Sequence, residues 1–242
     1  MWLTVGPTPN DQPALKPFLK SMEENLSFTY KNIVADAGYE SEENYSWIEE
    51  NGQIAFIKPA NYERSKTREY QKDISRKEHM DYYPAEDYYL CKNREKLIAV
   101  EMKNRKSNAG YLTQTTIYRC EDCTDCPYKS SCTKANHWKL PLEERTKQLE
   151  VSRNFERQRS EYLERIVSDE GILLRINRSI QAEGSFADMK QDRNFRRYLC
   201  RGQKNVYAES VLMAISHNIE KLHDRIQKER TGLHLFCTEK AA

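Results

Sequence analysis

Apolar positions in this chain fall in short runs whose spacing alternates between strand-like and helix-like. Met1 to Val5 predicts a strand, about Ala14 to Asn25 a helix, Asn32 to Ala35 a strand, about Glu42 to Asn51 a helix, and Ile54 to Lys58 a further strand. This alternation is that of an α/β domain. A basic, poorly periodic stretch then extends to about Ala85, followed by strand-like runs near Tyr88 to Cys91, Leu97 to Met102 and Tyr111 to Tyr118. Beyond these, helical spacing predicts a long charged helix from Leu142 to Val167, a second from Ile172 to Gln191, and a closing amphipathic helix from Val206 to Gln227. The apolar side of the last is expected at Val211, Leu212, Ile215, Ile219 and Leu222.

The helix over 172–191 carries the most informative chemistry. Ile172, Ile176, Ile180, Glu183, Ala187 and Lys190 recur three or four residues apart, placing a carboxylate in line with an apolar stripe. Taken alone, such a Glu borders a core and pairs with a cation. A second acid, Asp36, closes the run Ile33 to Ala35; Gly38 permits a sharp turn, and Ser41 with Glu42 and Glu43 reads as a helix start. Asp36 therefore stands at the carboxyl end of a strand, where open α/β sheets place ligands, although a turn or cap role fits the same position.

Ala35-Asp36-Ala37-Gly38-Tyr39 and Glu183-Gly184-Ser185-Phe186-Ala187-Asp188-Met189-Lys190 together resemble the DDE transposases of bacterial insertion sequences. Phe195 to Gly202 and His217 to Leu222 look like the same branch, and the resemblance runs from about Pro9 to about Leu222. It implies an RNase H-like catalytic domain, here lacking its first strands, with a β-rich cysteine-containing insertion before the catalytic helix. It also implies that three carboxylates hold Mg²⁺ or Mn²⁺ for DNA strand cleavage and transfer, a task suited to hard ions that take carboxylate oxygens. Asp36 matches the second carboxylate and Glu183 the third; the first is expected upstream of Met1, which makes the chain a truncated, carboxyl-terminal part. Asp11, within a turn-rich run, is expected to cap the first helix. Lys190, two helical turns after Glu183, takes the family's DNA-holding lysine role, and Gly184 is expected to leave room for a backbone or a DNA strand.

The resulting organisation is residues 1–60 as the first part of the catalytic domain, 61–140 as the insertion, 141–230 as the helical second part, and 231–242 as a flexible tail. At 242 residues, 38% hydrophobic and 31% charged, the chain can bury one core, but a mean hydropathy of −0.91 points to much exposed surface. Net charge is only +2, so the placement of cations matters more than their sum. Lys58 to Lys77 interleaves Lys58, Arg64, Lys66, Arg68, Lys72, Arg76 and Lys77 with Tyr62 and Tyr70; Lys92 to Lys106 adds a second run. Arg193, Arg196, Arg197 and Arg201 follow the catalytic helix. Each group suits phosphate contact, or else a solvated face or helix end. The sequence lacks an apolar run of membrane-spanning length and the apolar core of a signal peptide, so no membrane partner and a cytoplasmic, nucleoid-associated location are expected.

Cys120, Cys123, Cys126 and Cys132 crowd one short segment, with Cys91 upstream, while Cys200 and Cys237 stand apart. Structural Zn²⁺ is the leading reading, with Cys91 or His137 as alternate ligands; reduced unligated thiols and an iron-sulfur cluster stay open. Partners implied are DNA, as terminal inverted repeats and target, and either a homo-oligomer on DNA or a full-length transposase. Two other classes compete: a catalytically inactive DNA-binding remnant, and an unrelated zinc-stabilised nucleic-acid module.

Overall fold

The computed structural model describes Leu3, Val5 and residues 10–134, 140–192 and 194–232. In chain order the elements are α1 (Leu15–Leu26), β1 (Asn32–Ala35), α2 (Glu42–Glu50), β2 (Ile54–Ile57), α3 (Tyr62–Ser65), α4 (Arg68–Gln71), β3 (Asp81–Tyr83), β4 (Tyr88–Leu90), β5 (Lys96–Lys106) and β6 (Leu112–Cys120). They continue with α5 (Lys129–Cys132), β7 (Gln148–Val151), α6 (Arg153–Val167), α7 (Asp169–Ala187) and α8 (Gln203–Gln227). Two compact units result, one of residues 1–58 and 161–242, the other of residues 59–160.

In the first unit β1 and β2 are parallel, paired from Asn32↔Ile54 to Ala35↔Ile57, with α2 as the crossover that a parallel pair requires. The Ser41 hydroxyl starts α2 by accepting from the Asn44 N–H at 3.1 Å. Tyr45 and Ile48 on α2, Ala55 and Ile57 on β2, and Tyr162 and Ile166 on α6 are fully buried, each large side chain contributing roughly 1.5–3 kcal/mol by leaving water. The Tyr45 and Tyr162 rings pack at a tilt of 42° with centroids 4.2 Å apart, and the Tyr162 hydroxyl donates to Glu49 at 2.5 Å. α7 packs on both strands, and its first turn is fixed by the Ser168 cap and by Asn32, whose amide donates to Glu170 at 3.3 Å. At the α6–α7 junction Gly171 is required by close approach: a Cβ there would lie 2.0 Å from the Arg165 carbonyl oxygen.

The second unit is built on an antiparallel sheet in the order β3-β4-β5-β6-β7, with a register shift between Ala99 and Glu101 on β5. Met80, Tyr89, Leu97, Tyr118, Cys120, Leu149 and Val151 form its core. At one side of that core Asp87 accepts from the hydroxyls of Tyr118 (2.7 Å) and Tyr82 (2.9 Å) and pairs with Arg153. The Tyr118 bond leads in holding the Asp87 carboxyl below the usual carboxylate range.

Several expectations change. Residues 142–167 do not form one helix: Gln148–Val151 is a strand, because Leu149 and Val151 alternate into the core and pair with β6. The stretch after Lys58 is not featureless but holds α3, α4 and β3. Met1 to Val5 lies outside the described residues except for Leu3 and Val5, which belong to no regular element; the tail after 232 is also outside them.

The largest difference concerns which faces of α7 and α8 are buried. Ile172, Ile176 and Ile180 are 40–50% exposed, while Leu173 and Leu174 are half-buried, because the tight seat at Gly171 fixes which side of α7 meets α6. On α8, Leu212, Ile215, Ile219 and Leu222 lie outward, and Ser210, Ala214 and His217 are buried. Ser210 and Ala214 are small, and buried His217 finds a polar partner in the half-buried Asp188.

Candidate functional site

Asp36 follows the last residue of β1 and stands before the 3-10 turn Ala37–Tyr39. Its carboxylate accepts from the Ala37 N–H at 2.9 Å, so it serves the turn, and its other oxygen lies 3.6 Å from the Arg178 guanidinium of α7. The turn is braced from two sides: the Asn44 amide donates to the carbonyls of Gln12 (2.9 Å) and Tyr39 (2.8 Å), and the Gln12 amide donates to Glu40 at 2.6 Å. Asp11 does not cap as expected. It occupies the N-cap position of the turn Gln12–Ala14 without a side-chain cap bond, and a Cβ on Gly38 would lie 2.8 Å from its Oδ2. Burial raises the Tyr39 hydroxyl pKa, Asp11 adds to this, and Arg178 opposes it.

Glu183 is exposed on α7 and accepts from the Ser179 hydroxyl at 2.7 Å. Arg178 and Glu183 are five residues apart, or about 140° round an ideal helix. The structure thus brings Asp36 to Arg178 and Glu183 to Ser179. Among the described residues, no three His, Cys, Asp or Glu side chains stand close enough together to hold a metal ion. Nothing within 4 Å would meet a Cβ on Gly184.

Helical periodicity does not continue to Lys190, because α7 passes into a π turn over Asp188–Asp192. Lys190 is exposed there, its ammonium 5.7 Å from the Phe186 ring centroid. Two contacts hold this turn: the Phe195 N–H donates to Met189 at 3.0 Å, and Asp188 pairs with His217 Nδ1 at 2.7 Å. His217 is 3% exposed, and both partners lie inside motifs noted from sequence; their pairing is a contact that sequence reasoning missed.

Arg196, Arg197 and Arg201 are exposed on the segment between the π turn and α8. Arg193 lies outside the described residues. Glu209 of α8 anchors the segment by accepting from the backbone N–H groups of Leu199 (3.0 and 3.1 Å) and Cys200 (3.0 Å), and these bonds pull the Glu209 carboxyl below its ordinary pKa. A depressed carboxylate contributes its stabilisation above its unfolded-state pKa and loses it as pH falls through the folded value. Glu209→Ala is therefore expected to remove hydrogen-exchange protection at the Leu199 and Cys200 amides at neutral pH. In the wild type the same protection should be lost only when pH drops below the ordinary Glu range; protection unchanged by the substitution would exclude this anchor.

In the second unit, much of the predicted basic surface is paired internally. Lys66 bonds Glu63, Arg76 bonds Asp73, Lys77 bonds Glu156, Lys96 bonds Glu86 and Arg105 bonds Glu150. The same unit gathers Cys91, Cys120, Cys123, Cys126 and Cys132 around one small pocket that Lys147 also lines. Burial pushes the Cys132 thiol up to about 11, and it drives the Cys120 thiol up as well. His137 and Cys237 lie outside the described residues.

Residues 90–223, more than half of the chain, match the family model described as the transposase DDE domain. That stretch includes Glu183 and the five clustered cysteines; Asp36 precedes it. No curated protein and no solved structure matches.

Proposed function

The chain belongs to the transposase DDE-domain family, and from that membership we propose that it supplies Asp36 and Glu183 to an RNase H-like centre for metal-dependent DNA cleavage and strand transfer in a bacterial insertion sequence. The observation that carries this is the placement of Asp36 at the carboxyl end of β1 and of Glu183 on α7, the helix packed against β1 and β2 in one compact unit. As a transposase it acts on DNA, here proposed as the element's terminal inverted repeats and its target.

The donor set suits the family's divalent ions: two exposed carboxylates offer the hard oxygens that Mg²⁺ or Mn²⁺ prefers. Asp36 and Glu183 would hold the ions together with a third carboxylate, and the ions would supply charge neutralisation at the attacking and leaving oxygens of a phosphoryl displacement. Arg178 holds Asp36 until then, and releasing Asp36 leaves its guanidinium available to a phosphate. Lys190, Arg193, Arg196, Arg197 and Arg201 bind the DNA backbone, positioning the strand without reading its bases. The protein works in the cytoplasm as a homo-oligomer on DNA or beside a full-length copy, and among the described residues no helix is long and apolar enough to cross a membrane. Zinc held by the cysteines of the inserted unit has a structural role.

The engagement of Asp36 by Arg178 also supports a second reading, a DNA-binding remnant without activity. The deciding experiment is a Mg²⁺ or Mn²⁺ cleavage and strand-transfer assay on DNA bearing the element's ends, comparing the protein with its Asp36→Ala and Glu183→Ala variants. Activity that both substitutions abolish supports the proposal. DNA binding without activity supports the remnant.

A further inference from the structure

Five thiols line the pocket of the second unit, and a tetrahedral zinc site takes four. Resting on the reading that these cysteines hold zinc, we propose that the ligands are Cys91, Cys123, Cys126 and Cys132, that Cys120 is a packing thiol outside the set, and that Lys147 supplies the compensating positive charge.

Cys120 differs from the other four in where its backbone and its proton are committed. It ends β6, pairs with Leu97 across the sheet, and is held again by its N–H, which donates to Lys147 at 2.9 Å. It is 4% exposed within the apolar core, and its thiol donates to the Asp122 carbonyl at 3.2 Å and lies beside the Cys123 thiol, behind the proposed ligands. A thiol so placed behaves as a small buried hydrophobe, and ionising it costs desolvation as well as that hydrogen bond. The other four are half-buried and sit on turns, loops and a helix end. Cys91 lies in the tight turn joining β4 to β5, where the Arg94 N–H donates to Cys91 at 2.8 Å and Arg94 takes a φ of 62°. Cys123 and Cys126 lie in the loop after β6, and Cys132 ends α5. Cys91, Cys123, Cys126 and Cys132 line the same pocket, although their side chains do not stand close enough together to hold a metal ion as they lie.

Four thiolates around Zn²⁺ carry a net charge of about −2. Lys147 meets that charge: its ammonium donates to the Ser75 carbonyl at 2.6 Å and to the Cys132 carbonyl at 3.4 Å while lining the pocket. Zn–S bonds of about 2.3 Å require the Cys91 turn and the 123–132 loop to draw inward, which couples metal capture to folding of this end of the sheet.

The test uses the full chain, stripped of metal and reloaded with Zn²⁺ or Co²⁺, with elemental analysis and the visible Co²⁺ spectrum as readouts. Wild type and Cys120→Val should each hold about one ion per chain with the same thiolate-to-Co²⁺ intensity. Cys91→His should shift the Co²⁺ bands, because a nitrogen replaces a sulfur, while Cys120→His should leave any bound-ion spectrum unshifted. Lys147→Met should weaken Zn²⁺ by roughly 10–100-fold, the range for groups that support a ligand shell. A spectrum that shifts with Cys120→His and not with Cys91→His overturns the ligand assignment while leaving the zinc reading intact. Wild-type protein that takes up neither ion overturns the zinc reading itself.

Discussion

Asp36→Ala and Glu183→Ala are each expected to lower DNA strand transfer by about 10³-fold or more in a transposition-competent form of the protein, with DNA binding changed far less. Losing a ligand forfeits several kcal/mol of charge stabilisation in the transition state, and each 1.36 kcal/mol is a factor of ten in rate. In the proposed function binding rests instead on Lys190, Arg196, Arg197 and Arg201, which are exposed on the π turn and the segment that follows it. Strand-transfer rates and salt-dependent binding curves on the same DNA make the comparison. An equal loss of both in either variant would show a structural rather than a catalytic carboxylate.

Two glycines of α7 should respond in opposite directions. Gly171→Ala drives a methyl group to 2.0 Å from the Arg165 carbonyl oxygen, and the obstacle is backbone, so the α6–α7 junction must open. A cost of about 3 kcal/mol is expected, at the upper end for overpacking, with thermal unfolding lowered by roughly 6–12 °C. Gly184→Ala meets nothing within 4 Å and should gain up to about 1 kcal/mol of helix propensity. If Gly184 makes room for a DNA strand, its Ala variant should be more stable yet bind DNA more weakly. Stability and affinity rising together would remove that role.

Local punctuation made much of the first unit legible. Gly38 and Ser41 mark the end of β1 and the start of α2, and the short apolar runs around Ile33 and Ala55 became parallel strands. Glu183 was readable as a motif residue, but its surroundings were not. Periodicity shows that Ile172, Ile176 and Ile180 share a face of α7; it does not say whether anything in the chain covers them, and their exposure of 40–50% means that the described residues do so only in part. The contact between Arg178 and Asp36 joins residues distant in sequence, so neither local spacing nor composition signals it. A π turn leaves no compositional mark, which is why Lys190 was placed by simple helical counting. Gln148–Val151 is too short for its alternation to stand out among charged neighbours. Crowding of Cys120 to Cys132 was visible directly, whereas Cys91 joins them through the antiparallel pairing of β4, β5 and β6.

The central claim is that Asp36 and Glu183 touch the catalytic metal. Metal-dependent strand transfer by Asp36→Cys and Glu183→Cys variants, made in a transposition-competent form of the protein, tests it most directly. A thiolate is a poor ligand for the hard Mg²⁺ ion and a better one for the softer Mn²⁺. Both variants are expected to be inactive with Mg²⁺ and to regain activity with Mn²⁺, while the wild type works with either ion. Cysteine variants that stay fully active with Mg²⁺, or that no ion restores while DNA binding persists, would contradict metal ligation by these two residues.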